Sequence, residues 1–163
     1  MINTETNLIP LEEAFKKYGE RLRFEPGQSL CEINHLPGQL LLIETGAARL
    51  LHIYQGSLRT FKKLYKGSYV GIASLLRGES CEEVRAAEDL IALRLSDKDF
   101  KKFFESDEKL RLCCESNLWD AEVLSLLNEL RQEKSFEKES FSIERSFEIA
   151  KSITNIIPFS KQT

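Results

Sequence analysis

Between Leu22 and Leu95, turn residues cut the chain into short apolar runs about ten residues apart. The turns fall at Pro26-Gly27, Pro37-Gly38, Thr45-Gly46, Gln55-Gly56 and Lys66-Gly67, with a further one over Arg77 to Ser80. Runs this short suit strands rather than helices. They predict strands over Leu22–Phe24, Ser29–Ile33, Leu40–Glu44, Ala48–Ile53, Ser57–Leu64, Val84–Ala86 and Leu90–Leu95. No helical pattern separates these runs, so a parallel βαβ sheet is excluded and an antiparallel sandwich or barrel is favoured. Leu42, Leu50, Val84 and Leu93 are the expected interior.

On either side the period changes. Leu11, Ala14, Phe15 and Tyr18 recur at helical spacing before Gly19. After Leu95, Ser96 with Asp99 reads as a capping box, opening a helix over Asp97 to Phe104. A second helix is predicted from Asp107 to about Glu133, with a break near Ser116-Asn117. Its stripe of Leu118, Ala121, Leu124, Leu127 and Leu130 is wider than a solvated helix needs, so it packs on the barrel or on a partner. Residues 131–148 are dense in charge and read as a linker. The resulting division is 1–21 N-terminal helical segment, 22–104 β-roll, 105–133 C-terminal helix, and 134–163 charged linker and tail leading to further domains of a longer protein.

Composition narrows the function. The formal net charge of −3 offers phosphate backbones no global attraction, and nucleic acid is not an expected partner. Residues after Glu133 show no helix-turn-helix pattern with a basic recognition helix. Cys31, Cys81, Cys113 and Cys114 fit no zinc spacing, and His35 and His52 stand alone, so no metal and no cofactor is expected. The cysteines read as reduced thiols, and adjacent Cys113 and Cys114 do not easily both point inward. There is no apolar stretch of the length a membrane span needs and no signal-peptide pattern, which points to the cytoplasm. Glu82 and Glu83 would face opposite ways on a strand and make no acid–base pair; each reads as a solvated loop residue. With no nucleophile–base set visible, the chain is not expected to be an enzyme.

Several runs, in order, resemble the cyclic nucleotide-binding domain family. They are Phe24-Glu25-Pro26-Gly27-Gln28, Leu41 to Gly46 with Ala48-Arg49-Leu50, Gly67-Ser68-Tyr69-Val70-Gly71, and Val84-Arg85-Ala86. The segment Gly71 to Glu82, with Leu118 to Glu122, is similar to a branch at the N-terminus of bacterial and cyanobacterial peptide- or toxin-secretion ABC transporters. The resemblance implies a mainly β fold, a double-stranded β-helix of jelly-roll type with flanking N- and C-terminal helices. It also implies a cytosolic regulatory domain attached to a membrane transporter that binds ATP.

In that family a glutamate accepts from the ribose hydroxyl and an arginine pairs with the cyclic phosphate. The resemblance puts Val70 and Gly71 at the start of the cassette, Ile72 at the glutamate position, Ala73 after it, Ser80 at the arginine position and Cys81 beside it. Both polar anchors are then missing, which is worth more than about a hundredfold in affinity. Arg77 is the candidate replacement cation, while Arg85 reads as a surface residue and Gly71 as a close approach to a pocket. The short turn from Gly71 to Leu76 offers backbone amides to an anion.

Two functions follow. The first is a non-catalytic regulatory or docking domain with a degenerate nucleotide pocket. Its partners are the rest of a membrane transporter or another protein, with a homo-oligomer through the C-terminal helix as an option. The second is a functional sensor of a cyclic nucleotide or other small anion, using non-standard contacts.

Overall fold

The structure, a computed structural model, describes residues 8–132 and 147–148. In chain order these form α1 (Ile9–Tyr18), β1 (Glu20–Phe24), β2 (Ser29–Cys31), β3 (Gln39–Thr45), β4 (Ala48–Tyr54), β5 (Ser57–Leu64), β6 (Tyr69–Val70), α2 (Ile72–Arg77), β7 (Glu83–Ala86), β8 (Leu90–Ser96), α3 (Asp97–Ser106), α4 (Glu108–Ser116) and α5 (Asp120–Gln132).

The strands make two antiparallel four-stranded sheets, ordered β1-β8-β3-β6 and β2-β7-β4-β5. Neither sheet closes on the other or on itself, so the expected jelly-roll barrel is corrected to a mixed α/β fold of two open sheets with several helices. The reason lies at the edges. β6 has two residues and β2 three, too little backbone to carry a ladder onward. β5, at the other edge of its sheet, is exposed along most of its length. Helices α1 and α3 pack on β8 and β3, the central strands of the first sheet.

β3 shows why its sequence is apolar without alternation. Leu40, Leu41, Leu42 and Ile43 are all buried, because one face of β3 meets the core and the other is covered. It pairs with β8 through Leu42 opposite Leu93 and Ile43 opposite Ala92. Both sheets feed one core, in which Leu42, Leu50, Val84 and Leu93 are buried as expected. Gly46 allows the β3–β4 turn at φ 84°, where a Cβ would lie 2.3 Å from the Asp89 carbonyl oxygen.

Helix ends follow local chemistry. Ser96 Oγ accepts from the Asp99 amide at 3.1 Å, half of the expected capping box. Asp107 caps α4 through the amides of Lys109 and Leu110. The predicted break near Ser116-Asn117 separates α4 from α5, and the Trp119 indole N–H donates to the Cys114 carbonyl across it at 3.0 Å. Cys113 and Cys114 are both buried, contrary to the expectation from helical spacing, where both α1 and α3 pack on α4. The expected linker and tail lie outside the described residues except for Phe147 and Glu148; Phe147 is buried edge-on against Phe61 of β5.

Candidate functional site

β6 ends at Val70, and Gly71 turns the chain into α2 at φ 91°. A Cβ here would sit 2.9 Å from the Gln39 carbonyl oxygen and 3.5 Å from the Pro37 ring. The close approach that requires glycine is thus to the chain's own backbone. Seven residues later Gly78 ends α2 in the left-handed conformation, its amide donating to the Leu75 carbonyl at 3.3 Å. The chain then loops back to β7 and brings Glu82 under the start of α2.

Glu82 is the centre of the site. It is 4% exposed. One carboxylate oxygen accepts from the Gly71 amide at 3.2 Å. The other accepts from the Ser74 hydroxyl at 2.7 Å and, at longer range, from the Ser74 amide and the Cys31 thiol. Ser74 Oγ in turn accepts from the Cys81 amide at 3.1 Å. Two amides at the start of α2, those of Gly71 and Ser74, are thus already engaged by an internal carboxylate. Burial raises the Glu82 carboxyl above its ordinary value, and the hydrogen bonds from Ser74 and Gly71 oppose that shift.

A cavity of about 290 Å³ lies between the sheets beside Glu82. Leu50, Leu64 and Val84 form its apolar walls, and Tyr69 and Trp119, edge to face at 6.0 Å, close one side. Lys62 and Asp120 stand at its rim as an ion pair. A larger cleft of about 660 Å³ runs between the β4–β5 hairpin, the loop before β7 and α5. Its lining includes Glu83 and Glu129 and no lysine or arginine. Glu83 is itself buried, accepting from the Ile33 amide at 2.9 Å and from the Arg85 guanidinium at 3.2 Å.

Of the cassette positions singled out from the sequence, Ser80 and Cys81 line the larger cleft and none lines the smaller cavity. Ile72 and Ala73 are wholly buried in the core. Ser80 donates to the Glu32 carbonyl at 2.6 Å. Cys81 is buried with its sulfur 3.6 Å from Ser74 Oγ, and burial pushes its thiol pKa up to about 11. Arg77 is exposed on α2 and lies 3.9 Å from the Glu129 carboxylate of α5. Arg85 is exposed, as expected. The reading of Glu82 and Glu83 as solvated loop residues is corrected: both are buried. Glu82 and Ser74 carry the site and were not singled out. The one signal for Glu82 was its place two residues before Val84, which puts both on the same, inward face.

Residues 21–107 match the cyclic nucleotide-binding domain, and the chain belongs to that family. Solved structures of similar fold include the catabolite activator protein of Thermus thermophilus, 24% identical, with 75% of this chain and 54% of that one covered at a TM-score of 0.57. The regulatory subunit of a cAMP-independent protein kinase A from Trypanosoma brucei is 17% identical over 81% of this chain and 46% of that one, at 0.53. The CO-dependent transcription factor CooA from Carboxydothermus hydrogenoformans is 16% identical over 80% and 61%, at 0.51. At these identities the likeness is one of fold. The chain spans about half the length of the activator protein. No curated protein matches the sequence.

These matches correct the transporter attributes. The similar folds named above are an activator, a kinase regulatory subunit and a transcription factor, not ATP-binding membrane transporters. Among the described residues no helix is long and apolar enough to cross a membrane.

Proposed function

We propose that this chain is a non-catalytic regulatory domain that senses a small ligand through non-standard contacts in the cavity between its sheets. The observation that supports this over a purely structural scaffold is the cavity itself. About 290 Å³ stays open beside a buried polar group, just below the roughly 300–1,000 Å³ typical of drug-sized ligand sites and enough for a smaller ligand. Cyclic AMP and cyclic GMP bind weakly or not at all in this reading. Ile72 and Ser80 stand where the resemblance expects the ribose and phosphate anchors, and Glu82 engages the amides that would otherwise meet an anion. Cyclic nucleotide in the family manner would bring a phosphate toward a carboxylate with no cation to offset it.

Occupation of the cavity is passed on through α5, whose first residues form part of its wall and whose Leu126 is half exposed. That face suits docking to another protein or domain, or to a second copy, in a cytoplasmic setting. The division at 1–21, 22–104, 105–133 and 134–163 belongs to the same proposal, with further domains following in a longer protein. Trp119 is the chain's one tryptophan and lines the cavity, so its emission reports occupancy. A thermal-shift and fluorescence screen of metabolites should find at least one compound that raises Tm and changes Trp119 emission together. A screen in which no compound does both contradicts the proposal.

A further inference from the structure

We infer that the ligand of this cavity is a small organic ammonium, with its positive head on the Glu82 carboxylate and its apolar body against Trp119, Leu64 and Val84. The inference rests on the reading of the cavity as a ligand pocket and adds the chemistry of what fills it.

The first ground is a buried carboxyl without a cationic partner. Every hydrogen-bond partner of Glu82 is a neutral donor, from Gly71, Ser74 or Cys31. Among the described residues no cation pairs with it. A carboxylate this deeply buried is costly to keep ionised unless a positive group comes to it. Glu82 lines the cavity, and its Oε1 holds one hydrogen bond, from Gly71, which leaves that oxygen a lone pair.

The second ground is the wall. Tyr69 and Trp119 border the cavity. Aromatic rings in a binding-site wall suit an ammonium ligand, tryptophan most of all. Leu50, Leu64 and Val84 give the rest of a ligand an apolar bed.

The third ground is the rim. Lys62, the one lysine or arginine that lines the cavity among the described residues, is engaged by Asp120 and is not a free cation for an anionic ligand.

Phenethylamine, 2-phenylethanol and phenylacetate share one aromatic body and differ in charge. Titrated into the full chain and followed by Trp119 emission and Tm, phenethylamine should bind about tenfold tighter than the alcohol, with phenylacetate weakest. Glu82→Gln should bring the amine and the alcohol to within about twofold of each other. The wild-type series decides the matter alone if that variant does not fold. Equal or tighter binding of the alcohol or of phenylacetate overturns the ammonium inference and leaves the pocket reading standing. Silence from all three up to about 10 mM overturns the inference as well. The pocket reading falls with it only if the metabolite screen is silent too.

Discussion

Glu82 is where the sequence was least informative and the structure most so. An acidic pair between a loop and a strand reads as solvated, because carboxylates are rarely buried. Nothing local says that the loop after Gly78 returns Glu82 beneath the turn at Gly71. Val84 was legible as an interior residue, and alternation from it would have placed Glu82 on the same face. The burial has a pH signature. The folded-state carboxyl lies above its ordinary 4.5, chiefly through burial, so above that value the native state holds more protons than the unfolded one. This stabilising term is complete below the unfolded value and is lost as pH rises through the folded one. Glu122, shifted in the same direction by burial, adds to it. In urea denaturation followed from about pH 4 to 8, stability should decline over the window just above 4.5. Glu82→Gln should flatten much of that decline and leave the share owed to Glu122. A variant profile parallel to that of the wild type would show that Glu82 does not titrate abnormally.

Among the elements, those with strong local signals were readable. The Ser96–Asp99 cap, the break between α4 and α5, and the continuous apolar run of β3 all declare themselves within a few residues. β6 and α2 did not. Two residues of strand and six of helix fall below the length at which a period can be recognised, and their conformations are set by Gly71 and by Glu82 from outside. α5 lies between these cases. Its apolar stripe was legible, and the buried Leu124 and Val123 show that at least part of it packs within the chain. Leu124→Asp should cost about 3–5 kcal/mol in chemical denaturation, since it leaves a gap and a buried charge without a partner. Glu129→Ala, which removes the exposed pair with Arg77, should cost no more than about 1 kcal/mol. Equal losses from the two changes would mean that α5 is held by its charges and not by its apolar face.

At the scale of the whole molecule, the strand rhythm gave the antiparallel character and the flanking helices, and the ordered motifs gave the family. Sheet closure was not readable, because it depends on how many residues the edge strands β2 and β6 contribute, and turn spacing does not set that number. The family resemblance located the cassette and the missing anchors. It could not say that a separate cavity lies beside the cassette with a buried carboxyl in its wall. The central claim is that the cassette no longer serves cyclic phosphates and that this domain takes another ligand. Calorimetric titration of the wild-type chain with cyclic AMP and cyclic GMP tests it most directly. The account predicts no binding tighter than about 10 μM for either nucleotide. A dissociation constant below about 10 μM for either would contradict it, because Glu82 would then have failed to exclude the phosphate.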